Sequence, residues 1–352
     1  MHSTTKAAMA AIGEDEPDAD YKLRPEQHAA AMTLAAGPLQ RILTRAEIAE
    51  TIATYNREGD KAAAAQKTYK RYGHLGLRAA LVATLIGAAS LLPLEPILGK
   101  ELKALGLMVE YAALALAFVM SQVLIRKKPF DSWMQARAEA ERARVRLFDQ
   151  VMAADEAPRE GEVALLPLKL EYFRRYQLDV QRRYYRDRGG EHAQSAGQSR
   201  RWRLLGALLS GTAALVATVA FLVTLRRFGV PLPDLLQGVE ATARAWLPKE
   251  TDQILLAVGV VSSALLGYSS ARSWMNLDER NASRYASSFG QLELLSHTRL
   301  DAARDFAVAA DADGVGRFVA EIQSLISSEH QQWYDFGQNA PRPDPRQVPG
   351  QK

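Results

Sequence analysis

The sequence contains no cysteine, which excludes a disulfide scaffold, thiol catalysis and cysteine-based metal sites. Its six histidines are scattered along the chain, and none has the spacing of a metal ligand pair. Residues 1–20, MHSTTKAAMAAIGEDEPDAD, have no apolar core followed by a cleavage site. We therefore expect no signal peptide, and insertion into a membrane would have to be directed by a later segment.

Catalytic motifs are also lacking. Gly314 and Gly316 begin a sequence like a dinucleotide fingerprint, but the third glycine and a preceding strand are missing, which favours a helix boundary. Ser199 lies in GQSRR, where Arg201 replaces the second glycine of a nucleophile elbow. We predict that the protein is not an enzyme, and we assign no catalytic, cofactor-binding or metal site.

The dominant feature of the sequence is a set of four long apolar blocks. The clearest, at 204–225, reads LLGALLSGTAALVATVAFLVTL and has no charged residue inside it. At about 1.5 Å of rise per residue, it matches a hydrocarbon core of about 30 Å. The other blocks occupy 79–94, 105–125 and 254–271. The sequence therefore predicts an all-α integral membrane protein with two transmembrane helical hairpins, four spans and a cytosolic helical bundle.

The polar segments divide the chain further. We predict disordered tails at 1–24 and 337–352, because both are polar and contain proline. A first two-span unit covers 25–152, a linker marked by proline and glycine covers 153–167, and a second two-span unit covers 168–336.

The two units look like one unit used twice. Each hairpin is followed by Ser-Trp-Met and then by a phenylalanine fifteen residues after the tryptophan. These pairs are Trp133 with Phe148 and Trp274 with Phe289. Ala-Leu-Val-Ala-Thr also recurs at 80–84 and 214–218, in the first helix of each hairpin. Together these marks predict a tandem repeat.

Positive charge predicts the orientation of the hairpins. Basic residues crowd the outer ends of both hairpins, and the connectors carry fewer of them. The residues at the outer ends are Lys67, Lys70, Arg71, Arg78, Arg126, Lys127, Lys128, Arg200, Arg201, Arg203, Arg272, Arg280 and Arg284. By the positive-inside rule, we predict a multi-pass inner-membrane protein with both termini in the cytoplasm. Arg226 and Arg227 argue mildly against this, and we expect them to snorkel to the far interface.

A stripe of small residues marks the fourth span. Gly259, Ser263, Gly267 and Ala271 recur every four residues, a spacing that lets another helix approach closely. The alternative is that small residues are simply abundant here. We interpret the stripe as a helix-packing face of a homo-oligomer in the lipid bilayer.

Glu110 is the only carboxylate within a span. Burying it ionised at the helix centre would cost about 2.5–3.5 kcal/mol, so it should face a polar lumen or a partner. It lies near the outer end, however, and a position at the outer interface is the alternative. With Ser121, Gln122 and Ser262 it forms our set of candidate pore or gate residues. The candidate interface anchors are Trp133, Trp202, Trp246 and Trp274.

A basic aromatic run, YFRRYQLDVQRRYYRDR at 172–188, precedes the third span. Such a run can bind single-stranded nucleic acid by stacking and phosphate contacts. Its position just ahead of a span favours a lipid-facing or helix-packing role instead. We expect no nucleic acid partner.

This arrangement resembles the SLATT family, the two-transmembrane effector domains associated with bacterial nucleotide-signalling conflict systems. The resemblance lies in the aromatic/basic run, in SRRWRLL before the hairpin, in SWMNLDERNASRYASSF after it, and in the terminal FVAEIQSLISSEHQQW. The second unit carries it best, and the first is similar to a more divergent copy.

The resemblance implies a membrane effector that oligomerises to form a pore or disrupt the inner membrane during antiviral defence by abortive infection. This chain has no nucleotide-sensing domain, so the resemblance also points to a separate nucleotide-sensing or nucleotidyltransferase protein as its partner. A non-conducting membrane anchor or scaffold for a cytosolic sensor or signalling partner is the alternative function.

Overall fold

A computed structural model describes residues 2–13, 23–92, 95–227 and 251–339 of the chain. Over these ranges the regular structure is entirely helical and contains no strand, which confirms the all-α prediction. The helices are α1 Ser3–Ile12, α2 Pro25–Ala31, α3 Gly37–Leu43, α4 Ala46–Ser90, α5 Glu95–Lys127, α6 Pro129–Ala153, α7 Leu165–Phe173, α8 Val180–Arg227, α9 Thr251–Asn276, α10 Asp278–Val308 and α11 Ala312–Asn339. A 3₁₀ turn, Leu34–Ala36, precedes α3, and a π-helical segment, Arg174–Asp179, joins α7 to α8.

Four helices are long and apolar enough to cross a membrane. They contain the predicted blocks 105–125, 204–225 and 254–271 and most of the first block, 79–94, which extends beyond Ser90 at the end of its helix. They are α4, α5, α8 and α9. In the most apolar stretches of α5 and α8, only 6% of the residues are buried inside the protein. Exposed apolar surface of this extent marks an interaction with lipid or with another protein, because a water-soluble monomer rarely tolerates it.

The chain groups into two compact units by internal contacts. The bundle unit comprises 1–67, 129–191 and 280–352, and the hairpin unit comprises 68–128 and 192–279. Each unit draws residues from both predicted two-span halves. The apolar spans pack with one another, whereas the amphipathic helices bury their apolar stripes together, so the units follow side-chain chemistry rather than chain order.

The core of the bundle unit forms around α7. Nearly every residue of α7 is buried, and its large side chains Leu168, Tyr172 and Phe173 are at most 1% exposed. Phe148 of α6 packs edge-on against Phe173, with ring centroids 5.7 Å apart. The buried apolar face of α11, which includes Phe318 and Ile322, belongs to the same core.

The predicted N-terminal disorder is wrong for α1. Thr5, Ala8, Ala11 and Ile12 lie on one face of this helix and are buried. The helix packs against α7, which supplies the apolar surface that its small side chains alone could not provide. Residues 14–22 of the predicted first tail, and 340–352 of the second, lie outside the described residues, while 337–339 belong to α11.

The predicted linker is fastened to α3 by ion pairs. The Arg41 guanidinium donates to Glu156 Oε1 at 2.9 Å, to Glu162 Oε1 at 2.8 Å and to the Ala157 carbonyl at 2.9 Å. Gly37 leaves room for this clamp, because a Cβ there would come within 1.9 Å of Glu162 Oε1. The segment after α6 therefore follows a defined path.

We expect this clamp to weaken in acid. The hydrogen bond from Arg41 lowers the pKa of Glu162 from 4.5 to about 2. A folded pKa below the unfolded value stabilises the protein above about pH 4.5, and the contribution is lost as the pH falls towards about 2. Glu162→Gln should lower the thermal midpoint at neutral pH, and the difference from wild type should shrink between about pH 4.5 and 3.

Glu160→Gln is the matched control, because Glu160 is exposed and lies in the same segment. Its midpoint should follow that of the wild type at every pH. A pH-independent defect in Glu162→Gln would contradict the assignment.

Candidate functional site in the membrane hairpins

The first hairpin packs α4 against α5 through glycines. A Cβ on Gly76 would lie 3.2 Å from Met120 Cβ, and one on Gly87 would lie 3.0 Å from Glu110 Oε1. These distances are at or below ordinary van der Waals contact, so the two helices approach closely at both points. The absence of a side chain permits that approach.

The second hairpin uses glycine and serine in the same way. A Cβ on Gly206 would lie 2.9 Å from Leu266 Cγ and 3.2 Å from the Ser262 carbonyl oxygen. Ser210 Oγ donates to Ser262 Oγ at 2.9 Å, and Ser262 Oγ donates to the Gly259 carbonyl at 2.9 Å. These bonds satisfy polar groups that lipid would leave unpaired, so α8 and α9 are held in register.

The two helices of each hairpin pack against each other in nearly the same register in both hairpins. Counted from the recurring Ala-Leu-Val-Ala-Thr and Ser-Trp-Met sequences, Gly76 corresponds to Ser210, and Ser121 corresponds to Ser262. Ser210 contacts Ser262, and Gly76 contacts Met120, the neighbour of Ser121. This agreement to within one residue supports a duplicated hairpin, although the bends that follow the hairpins differ.

Each hairpin ends at a residue in the left-handed conformation. Lys128 has a φ of 43° between α5 and α6, and Leu277 has a φ of 56° between α9 and α10. Lys128 precedes Trp133, whereas Leu277 follows Trp274, so the two copies of Ser-Trp-Met lie on opposite sides of the bend. The tryptophans consequently have different environments, with Trp133 8% exposed and Trp274 56% exposed.

Over the described residues, most of the predicted packing stripe of α9 has no partner helix. No described atom beyond the local helix lies within 4 Å of a Cβ built at Gly259 or at Gly267, and Ser263 is exposed. Ala271 is half-buried. The buried face of α9 instead carries Ala257, Ser262, Ser269 and Ser273.

The candidate pore or gate residues do not share one environment. Glu110 is half-buried with its carboxylate beside Gly87, so it faces a partner helix. Ser121 is exposed on the same helix, and Gln122 is half-buried. Ser262 is buried inside the second hairpin, where Ser210 satisfies it. A single chain therefore does not gather these four side chains around one lumen.

Two of the four candidate interface anchors are accessible. Trp202 is 46% exposed and Trp274 is 56% exposed. Trp133 instead packs edge-on against Phe130, with centroids 5.8 Å apart, and it is buried. Trp246 lies outside the described residues.

The basic aromatic run is part of the bundle core. Tyr172, Phe173, Tyr176 and Tyr185 are buried, so their rings are not available to stack on bases. The helix-packing alternative therefore accounts for these aromatic residues.

The arginines of the run form an ion-pair network that sequence reasoning missed. Arg174 contacts Glu171 and Asp179, both at 2.5 Å. Arg182 contacts Asp179 at 3.2 Å and donates from Nε to Glu293 Oε2 at 2.8 Å. These contacts, which extend from the π-helical segment into α8, tie α8 to α10. Glu171 also accepts from Arg304 of α10 at 2.8 Å.

The environment of this network shifts two carboxyl groups in opposite directions. Burial raises the pKa of Asp179, although Arg174 and Arg182 oppose that change. The hydrogen bond from Arg182 lowers the pKa of Glu293. The pairs Glu171 with Arg174 and Asp179 with Arg182 are three residues apart, which was the available sequence signal.

A second set of contacts fixes the bend after the fourth span. His192 Nδ1 lies 2.8 Å from Asp278 Oδ1, and Arg203 pairs with Glu279. Asp278 and Glu279 begin α10 directly after Leu277, and Asp278 is 3% exposed. Two residues of α8 therefore hold the first turn of α10.

Comparison with protein-family models, curated proteins and solved structures finds no match for this chain. The resemblance to the SLATT family therefore stays a prediction.

The register of the second hairpin can be tested by a disulfide, because the native chain has no cysteine. The Oγ atoms of Ser210 and Ser262 are 2.9 Å apart, so a Ser210→Cys/Ser262→Cys variant should form an intramolecular disulfide on mild oxidation. Ser210→Cys/Ser263→Cys should not, because Ser263 lies on an exposed part of α9. Mass spectrometry of proteolysed protein identifies the cross-link, and equal yields from the two pairs would contradict this register.

Leucine substitutions test the close approach at Gly206. Gly206→Leu in the double-cysteine background should reduce disulfide yield, because the added side chain meets Leu266 and the Ser262 carbonyl. Gly211→Leu on the same helix should leave the yield unchanged, because no described atom beyond the local helix lies within 4 Å of a Cβ there.

Charge reversal tests the link between α8 and α10. Arg182→Glu should destabilise the bundle, because it removes the ion pair with Glu293. The pair is partly exposed, so the loss should be only on the order of 1 kcal/mol. The double variant Arg182→Glu/Glu293→Arg should recover part of that loss in denaturant unfolding. Arg186→Glu, whose partner is its neighbour Asp187, should have a smaller effect. No recovery in the double variant would argue against this contact.

Proposed function

We propose that the protein is an inner-membrane effector that oligomerises through its hairpins to form a pore or disrupt the membrane. The observation that carries the proposal is the bare apolar surface of the four span helices. Lipid can cover that surface, and copies of the same chain can cover part of it. The SLATT resemblance adds the setting of a bacterial nucleotide-signalling conflict system with an antiviral role.

The topology that we propose has two hairpins in the membrane and both termini in the cytoplasm. Its support is the concentration of basic residues at the outer ends of the hairpins. Lys128 and Arg203 are two such residues, and each lies beside the outer end of a span. In this arrangement the bundle unit is cytosolic.

An oligomer is needed because one chain supplies too few spans for a wide pore. Each hairpin already closes on itself through Gly76 and Gly206. The stripe at Gly259 and Gly267 has no partner helix among the residues that the structure describes, and it fits the close approach of a second copy. A lumen would then form between chains, with Ser121 among the uncovered polar groups available to it.

Activation would come from a separate sensor or nucleotidyltransferase protein, as the SLATT resemblance implies. A trigger that binds one arrangement of the bundle more tightly shifts the population towards that arrangement. The Arg182–Glu293 contact and the His192–Asp278 contact both involve α8, the helix that contains the third span. Rearranging these two contacts is one way in which a change in the bundle could reach the third span.

The proposal predicts that Gly259→Leu and Gly267→Leu impair both assembly and membrane permeabilisation. A leucine at either site blocks close helix approach without disturbing the hairpin, since in the described part of the chain no atom beyond the local helix lies within 4 Å of a Cβ at these positions. Native gels measure oligomer size, and dye release from liposomes with the trigger supplied measures permeabilisation. Gly211→Leu is the control, and unchanged oligomers in both stripe variants would refute the assigned face.

A non-conducting membrane anchor or scaffold is the second candidate. It is favoured by the separate environments of Glu110, Ser121 and Ser262, which a single chain does not bring around one lumen. The same liposome experiment separates the functions. An anchor would bind its cytosolic partner at the vesicle surface and release no dye.

A further inference from the structure

Arg175 differs from the other arginines of the aromatic/basic run. Arg174 and Arg182 each contact two carboxylates. Arg175 is only 8% exposed, yet it has no hydrogen bond or ion pair with any residue in the described part of the chain, and its Nε is fully enclosed. An arginine cannot shed its charge at any physiological pH. A cation this deeply buried calls for an anion.

The surroundings of Arg175 hold the guanidinium in place. Its Cζ lies 5.4 Å from the centroid of the Tyr176 ring, and Tyr176 stacks on His28 with centroids 3.7 Å apart and an interplanar angle of 16°. His28 Nδ1 in turn lies 3.1 Å from the Tyr172 hydroxyl. The contacts with Tyr176 and Gly13 restrict the guanidinium before any ligand arrives, which lowers the entropic cost of binding.

Gly13 lies beside the Arg175 guanidinium. It ends α1 with a φ of 95°, and a Cβ there would lie 3.3 Å from Arg175 Nη1. The C-terminal end of α1 offers a partial negative charge, but none of its carbonyls accepts a hydrogen bond from Arg175. The helix end therefore leaves the donors of the guanidinium unused.

We propose that Arg175 is the centre of an oxyanion-binding site at the junction of α1, α2 and the π-helical segment. The planar fork of a guanidinium pairs with two oxygens of a phosphate or carboxylate at once. The ligand class is therefore a small phosphate-bearing or carboxylate-bearing anion that enters through the exposed edge of Arg175. This site lies in the bundle unit and does not depend on whether the spans form a pore.

The test uses the full-length protein in detergent and follows its thermal midpoint at constant ionic strength. Inorganic phosphate, glycerol phosphate and succinate each replace chloride in separate titrations. At roughly ten times its dissociation constant, a bound anion should raise the midpoint of the wild type by about 2 °C or more. The anion with the largest effect identifies the ligand class, and no response to any of the three overturns the proposal.

Arg175→Met should abolish the response, and Arg175→Lys should weaken it by at least tenfold in apparent affinity, because lysine keeps the charge but loses the fork. Arg186→Met is the matched control, since Arg186 is an exposed arginine of the same run, and it should respond as the wild type does. An undiminished response in Arg175→Met overturns the proposal.

Stability in chloride alone distinguishes an external anion from a partner within the chain. If the anion is external, Arg175→Met should be at least as stable as the wild type, because the substitution removes an uncompensated buried charge. A large loss of stability would mean that the chain itself supplies the partner and would refute the proposal.

The acidic residues that follow Gly13 in sequence are tested by Glu14→Gln/Asp15→Asn/Glu16→Gln. An unchanged phosphate response in that variant supports an external ligand, and a lost response contradicts it.

Discussion

The structure depends on one constraint, which is that the chain leaves the apolar surfaces of four long helices uncovered. In α5, for example, Met108, Tyr111 and Phe118 are each at least 65% exposed. A helix satisfies its own backbone hydrogen bonds, so such surfaces are stable in lipid but not in water. The uncovered surface of the hairpin unit therefore marks an interaction with lipid or with another protein, whereas the helices of the bundle unit bury their apolar stripes against one another.

Within each hairpin, the two helices are held together by close backbone approach rather than by large side chains. Gly76 and Gly206 remove the steric barrier, and the Ser210–Ser262 bond uses polar groups that lipid cannot satisfy. In the bundle unit, by contrast, aromatic packing around Tyr172 and Phe173 combines with a chain of ion pairs from Glu171 to Glu293. The first kind of contact suits lipid and the second suits water, which matches the proposed division between membrane and cytoplasm.

The sequence allowed the span helices to be predicted because long apolar runs with at most one charged residue, such as 204–225, have few soluble alternatives. It did not allow α1 to be predicted, because small side chains such as Ala8 and Ala11 are buried only once α1 packs against α7 and the 3₁₀ turn. Half of the ion-pair network was visible in residues three apart, but Glu293 lies over a hundred residues away in sequence from Arg182. The spacing of the α9 stripe gave a candidate face but could not show that the chain buries the serine face instead.

The most direct test of the account is the position of each hairpin end relative to the membrane. The chain has no native cysteine, so single cysteines can be placed at Lys100, between the first two predicted spans, and at Lys128, after the second span. Both can be labelled in intact cells with an impermeant thiol reagent. The account predicts that Lys100→Cys is labelled from outside, and that Lys128→Cys is labelled only after permeabilisation. Labelling of both positions from the same side, or recovery of the protein in the soluble fraction without detergent, would contradict it.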